Sequence, residues 1–275
     1  MNIIGLGDGA CKIAECFSKY PQYKIFKINV DIEEKNCYSV PKMKTAEEYE
    51  SYAYPKIKSF LKGIEGETIF IIGGSGKISC GSLKIMENLK NLPLSVLYIQ
   101  PDLSMLDNKQ IMQERLVRNV LQEYARSGIF EKICLISNNC LDSIIEGAPV
   151  IGYYDALNEV LVPSLHMINF FSNNKPVAGA ISDPKNTHRI YTVGLFDIEK
   201  NEEKMFFSLD NSRNKCYIYG ISEEKLKTDK KLMKKIKHQI ETNKEENLEV
   251  SYAIYSTDYE YDIGYVIERT PNIQN

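Results

Sequence analysis

Two runs of small residues stand where a backbone could grip an anion. Residues 73–76 read Gly73-Gly74-Ser75-Gly76 and are followed by Ser79, Cys80, Gly81 and Ser82, while the chain opens with Gly5-Leu6-Gly7-Asp8-Gly9-Ala10. Side chains this small leave the backbone N–H groups approachable. A glycine turn that starts a helix aims several of them, with the positive end of the helix dipole, at one point. Phosphate binding is the chemistry that suits such a point. A tight connection that binds nothing has the same composition, so the flanking elements must decide.

Those elements repeat. Ile69, Phe70, Ile71 and Ile72 form a buried-strand run before the later turn, and Leu83, Met86 and Leu89 recur after it at helical spacing. Asn2–Leu6 is a short strand before the earlier turn, and Ile13, Ala14 and Phe17 mark one face of the helix after it. Taken alone, the earlier turn fits the dinucleotide pattern G-x-G-x-x-G/A with Ala10 in third place, and Asp31 ends the next strand about where a ribose-binding acid belongs. A nicotinamide-dependent oxidoreductase is therefore one reading. It lacks a His, Lys or Tyr constellation for the chemistry and leaves the second turn unexplained.

Further along, a polar connector (33–44) leads to a capping-type start at Thr45-Ala46-Glu47-Glu48 and a long helix through Leu61, in which Pro55 should cause a kink. A strand at 94–100, a loop begun by Pro101-Asp102, a helix at 109–127, a strand at 132–137 and Asn138-Asn139 follow. A helix-like segment then runs to Phe171, with a bend expected at Pro163. The alternation predicts an α/β fold, a mainly parallel sheet with helices on both faces and ligands at the C-terminal ends of the strands. Beyond Asn174 strands gather at 189–197, 216–219, 249–256 and 263–268 around one charged helix between Ser222 and Thr242, whose lysine face reads as a solvated surface. The expected division is an α/β domain at 1–151, a central connecting helix at 152–173 and a small α+β domain at 174–275.

Composition narrows the class. The formal charge of -3 over 275 residues argues against a general nucleic-acid surface, and no run nears the ~20 apolar residues that span a bilayer. The chain starts directly on a strand, without a secretion signal. Seven cysteines lie scattered without a C-x-x-C pair, so neither a disulfide framework nor a zinc site is indicated and a reducing, cytoplasmic setting is expected. His166, His188 and His238 lack metal-ligand spacing.

The order of these pieces resembles the tubulin/FtsZ superfamily. GLGDGACKIAE looks like that family's first phosphate loop and helix, and EEYESYAYPKIKSFLKGIEGETIFIIGGSGKISCGS like its helix, strand and signature loop. LYIQPDLS, ICLISNN and YYDALNEVL are similar to its sugar-contacting loop, its base-contacting turn and the start of its central helix. The resemblance implies a guanine nucleotide, GTP or GDP, with Mg2+ accompanying a triphosphate, and head-to-tail association into homo-oligomers or filaments. It would place Gly7, Asp8, Gly9 and Ala10 beside the diphosphate, with Gly74, Ser75, Gly76, Ser79 and Gly81 cradling phosphates from the other side. Pro101 falls in the sugar-contacting loop, and Asn138 or Asn139 together with Asn158 would meet the base edge, since an amide offers guanine both donor and acceptor.

Three departures shape what the resemblance implies. Lys77 and Ile78 stand where G-G-G-T-G-[ST]-G has small residues, with Cys80 in place of a later glycine; this reads either as Lys77 serving as a direct phosphate cation or as a loop that has lost the nucleotide. The stretch expected to hold a third glycine loop, NCYSVPKMKT at 36–45, has none. In the loop after the central helix, AGAISDPKNTH at 178–188, Asp183 is the one acidic residue and the catalytic candidate, and an Asp before Pro is commonly a turn former. GTP hydrolysis is accordingly expected to be weak or absent. A fold that keeps the architecture but not the ligand is the alternative.

Overall fold

A computed structural model describes residues 1–145, 147–182 and 186–275. Six strands, β1 (Asn2–Leu6), β2 (Lys24–Val30), β3 (Cys37–Val40), β4 (Thr68–Gly73), β5 (Leu94–Gln100) and β6 (Lys132–Ser137), pair in parallel in the order β3-β2-β1-β4-β5-β6. The later strands are β7 (Ala178–Gly179), β8 (Ile190–Asp197), β9 (Glu202–Met205), β10 (Asn214–Ser222), β11 (Glu249–Thr257) and β12 (Ile263–Thr270). They continue the same sheet as β8-β12-β10-β11-β7, with β9 beside β8, so among the described residues one 12-stranded sheet runs through both halves. The join is short: β6 meets β8 through Ile133↔Ile190 and Cys134↔Tyr191.

Helices cover both faces, as the alternation predicts. α1 (Asp8–Cys16), α6 (Asn138–Asp142) and α7 (Tyr153–Ser172) pack Ile13, Leu141 and Leu161 against Ile3, Ile71, Leu97 and Ile99. On the other face α2 (Ala46–Ser51), α3 (Ile57–Leu61), α4 (Ser82–Met86) and α5 (Asn108–Arg126) pack Tyr49, Ile57, Ile85 and Leu121 against Ile4, Leu6, Ile72 and Val96. Neighbouring strand residues thus enter opposite cores, the period-two consequence of a pleated strand buried on both sides. α8 (Glu223–Thr228) and α9 (Leu232–Thr242) follow β10, and Leu232, Ile236 and Ile240 of α9 cover a third core built on Tyr217, Tyr219 and Ile254.

The strand order sets the site. From β1 the chain crosses through α1 to β2 on one side, and from β4 through α4 to β5 on the other, so the two connections leave a neighbouring strand pair by opposite faces. In an open parallel sheet that divergence leaves a crevice at the strands' C-terminal ends. Both glycine turns open into it.

Several elements differ from expectation. The long helix foreseen from Thr45 to Leu61 is two short ones: the first ends at Ser51, and Tyr54 and Lys56 take positive φ (45° and 64°) around Pro55 in the break before the second. Thr45 does form the expected capping box with Glu48. α7 runs through Pro163 as one helix of 20 residues, about 30 Å at 1.5 Å per residue. The single charged helix between Ser222 and Thr242 is two, α8 and α9. β3 lies inside the stretch read as a polar connector, and β9 went unforeseen; both are four-residue strands with few buried positions.

Candidate functional site

At the first bend Gly7 caps α1 with φ 85° and ψ 169°, a conformation that strains any residue with a β-carbon. Its N–H donates to the Ile28 carbonyl at 2.9 Å, and its own carbonyl accepts from Cys11 at 2.9 Å. No side chain caps the helix, and the first amides of a helix have no partner within it. Asp8 and Gly9 are exposed and Ala10 is buried, with Asp8 paired to Lys12 at 3.6 Å. A β-carbon on Gly9 would meet nothing within 4 Å. The side of the bend at Gly9 is open.

The second bend leaves β4, which pairs with β1 in register up to Leu6↔Ile72, so the two turns lie at the ends of adjacent strands. Gly73 also faces open space on its β-carbon side. The Ser79 hydroxyl donates to the Gly73 carbonyl at 2.5 Å, and the Gly76 carbonyl accepts from the Ser79 N–H at 2.9 Å and from Gln113 Nε2 at 3.1 Å. Ser75 is half-buried. Gly74 and Gly81 are fixed by packing: a β-carbon would stand 2.3 Å from the Tyr98 hydroxyl at Gly74 and 1.7 Å from the Tyr54 hydroxyl at Gly81. Those two positions therefore require glycine whether or not an anion binds.

Lys77 is exposed. Its ammonium donates to the Lys44 carbonyl at 2.8 Å, bridging the turn to the residues after β3. Ile78 lies between the bends, 6 % exposed in the core cluster with Leu6 and Ile28, and its Cγ2 comes within 2.9 Å of where a Gly7 β-carbon would be. The stretch read as the missing third loop holds β3, and after it the Lys44 and Thr45 amides are held by the Glu48 carboxylate at 2.6 and 3.2 Å.

The remaining positions follow the next strands or begin α7. Pro101 and Asp102 follow β5. Asp102 accepts from the Ser104 hydroxyl at 2.7 Å and its N–H at 2.9 Å, hydrogen bonds that hold its carboxyl below the usual range. Asn138 and Asn139 open α6 directly after β6, and the Asn139 amide, turned to donate, reaches Asp102 at 3.1 Å. Asn158, in the second turn of α7, is 7 % exposed, yet its amide makes no hydrogen bond to any described residue. Tyr153 donates to Asp142 at 2.8 Å; burial, then that carboxylate, pushes its phenol up to about 12. Asp31, the ribose-binding acid of the dinucleotide reading, is exposed just after β2. Asp183 lies outside the described residues.

Sequence reasoning missed the supports. Tyr98, Gln113 and Glu114 touch the second bend from β5 and α5, and nothing in their spacing marks them, because the contacts join positions remote in the chain. Among the described residues no group of three or more His, Cys, Asp or Glu could hold a metal ion. A cavity of about 310 Å³ lies elsewhere, at the opposite strand ends, lined by Thr68, Ser95 and Lys132 and by Ile168 and Asn169 of α7. Nor is any helix long and apolar enough to cross a membrane, among the described residues.

No protein-family model matches this sequence, and no curated protein matches it either. Solved structures do match, over nearly the whole chain. FtsZ from M. jannaschii aligns at TM-score 0.69 and 10 % identity, covering 98 % of this chain and 87 % of its own. TubZ from Bacillus thuringiensis serovar israelensis, solved as a GTPγS-form protofilament, aligns at 0.73 and 16 %, covering 98 % and 86 %. CetZ2 from Haloferax volcanii, a GTPγS-bound protofilament, aligns at 0.69 and 12 %, covering 98 % and 92 %.

Proposed function

Because the chain has the tubulin/FtsZ fold, we propose that it binds a guanine nucleotide in the crevice between the two glycine bends and associates head to tail into filaments. The observation that carries the reading is the pair of bends on adjacent parallel strands, with Gly9 and Gly73 facing open space and α1 uncapped by any side chain. The amides of residues 8–10 and of the second bend supply the phosphate contacts, which need close approach and no side-chain chemistry. Asn158 supplies an amide that makes no hydrogen bond to any described residue, a group suited to a guanine edge. Magnesium would come with the phosphates of a triphosphate.

Self-association is supported by exposed apolar residues near both ends of α7. Val150, Ile151 and Tyr154, before and at the start of α7, are 93, 91 and 64 % exposed, and Val177 beyond the far end of α7 is 62 % exposed. Different surfaces meeting head to tail give open filaments when the contact does not close. TubZ has been solved as two-stranded and four-stranded filaments. The sequence of the loop after α7, residues 178–188, contains one acidic residue, Asp183, so hydrolysis is weak or absent.

The test is thermal unfolding of nucleotide-free protein with GTP, GDP or NAD, together with analysis of any small molecule released on denaturation. A ligand at about a hundred times its Kd stabilises by roughly 2.7 kcal/mol, which raises the melting point by about 5–10 °C at this size. A shift with NAD and none with GTP or GDP would overturn the reading. One observation favours a second: Ile78 occupies the space beside Gly7. A tubulin-fold protein that has lost its nucleotide would show no shift with any of the three.

A further inference from the structure

Under the second glycine bend lies a chain of buried polar groups that the nucleotide reading does not use. The Tyr98 hydroxyl, which occupies the space of the absent Gly74 β-carbon, donates to Glu114 Oε1 at 3.0 Å. Arg118 donates to the same carboxylate through Nε at 2.7 Å and, through Nη1, to the Gln274 carbonyl at 2.5 Å. Gln122 grips Gln274 at both backbone groups: its Nε2 donates to that carbonyl at 3.0 Å, and its Oε1 accepts from the Gln274 N–H at 2.8 Å. The Gln274 side chain in turn accepts from the Asp210 N–H at 2.6 Å. Tyr98, Glu114 and Gln122 are fully buried, and Arg118 and Gln274 are 1 and 2 % exposed.

An ion pair buried this deeply is a poor source of stability, because desolvation offsets most of the attraction. What it provides is one fixed arrangement, since moving any member strands a charge or an amide without water. The carboxylate end of this arrangement abuts Gly74, and one residue earlier on α5 Gln113 donates to the Gly76 carbonyl at 3.1 Å. α5 therefore braces the bend at two points, and the C-terminal segment clasps α5 from behind.

We propose that Gln113 and Glu114 are positioning residues for the second glycine bend, and that Gln122 and Arg118, by clasping Gln274, hold α5 where it can brace that bend. For its consequence in ligand binding the proposal rests on the nucleotide reading above; for its mechanical content it does not. Release of Gln274 loosens the turn at Gly74–Gly76 and leaves the first bend, which belongs to α1, unaffected.

Glu114 and Arg118 variants would leave a buried charge unpaired and fail to fold, so the test uses two milder changes in the full chain. Gln113→Glu keeps the shape and removes the donor to Gly76; Gln122→Met keeps the volume and removes the clasp. Hydrogen exchange without nucleotide is followed for peptides covering 73–79 and, as the reference, 7–12. The expected result for both variants is roughly tenfold faster exchange over 73–79 with the reference unchanged, a pattern that general destabilisation does not give. GTP affinity should fall by a similar factor in both. Equal acceleration of both peptides, or none at 73–79, overturns the proposal. Absence of GTP binding in the unmodified protein would remove the nucleotide reading alone, because the exchange result stands without ligand.

Discussion

Asn158 is a largely buried residue of the central helix whose amide, not sealed from solvent, makes no hydrogen bond to any described residue. An amide left open to solvent beside the strand ends is free to exchange water for a ligand's hydrogen bonds, each worth about 0.5–1.5 kcal/mol net. Asn158→Leu should therefore lower GTP affinity about tenfold while leaving the melting point of the nucleotide-free protein nearly unchanged, since lost hydrogen bonds to a base are worth about 1–3 kcal/mol. Calorimetric titration beside thermal unfolding checks both halves; a variant that loses stability and keeps affinity would make Asn158 an ordinary core residue. The sequence marked Asn158 only through a resemblance. Lys77, read as a phosphate cation, ties the turn to the Lys44 carbonyl in the ligand-free protein, a contact between positions too far apart in the chain for spacing to reveal.

Among the elements, the glycine turns separate into positions required by packing and positions left open. Gly81→Ala should cost about 1–3 kcal/mol, because its β-carbon would overlap the buried Tyr54 hydroxyl, and adding Tyr54→Phe should recover part of that loss in a urea titration. Gly9→Ala, in the first turn of α1 with open space around it, should gain about 0.5–1 kcal/mol of stability and weaken nucleotide binding. Opposite signs for two glycines of similar appearance are what distinguish support from site. The strand-turn-helix units around both runs were legible because burial on two faces writes long apolar runs into β1, β4, β5 and β6. β3 and β9 were not, since short strands with few buried residues carry little apolar pattern. The 45–61 helix was misjudged because its apolar spacing is helical on either side of Pro55, while the positive φ at Tyr54 and Lys56 is set by tertiary packing.

For the molecule as a whole, the order of parallel strands and the covering of both faces could be read from alternation, whereas the continuity of one sheet through both halves could not, because the β6 to β8 pairing joins segments separated by α7. Buried thiols make its stability fall at alkaline pH. Burial pushes Cys11 and Cys134 up to about 12 from 9.0, so the fold holds protons that the unfolded chain gives up first. Their contribution is complete below pH 9 and is lost as pH rises towards 12; urea midpoints under reducing conditions should decline over that range, less steeply in Cys134→Ala. At the assembly scale, Ile151→Glu should reduce GTP-dependent sedimentation without lowering the melting point, since the residue is 91 % exposed. The two residue pairs between β6 and β8 contrast with the six pairs that join β5 to β6 and the six between β12 and β8. A long sheet stitched by so short a ladder across its middle leans there on side-chain and loop bonds, such as Thr192 Oγ1 to the Leu135 carbonyl at 2.8 Å and the Ser137 N–H to the Phe206 carbonyl at 2.6 Å, so the seam between its halves is held by contacts that strand pairing alone would not supply.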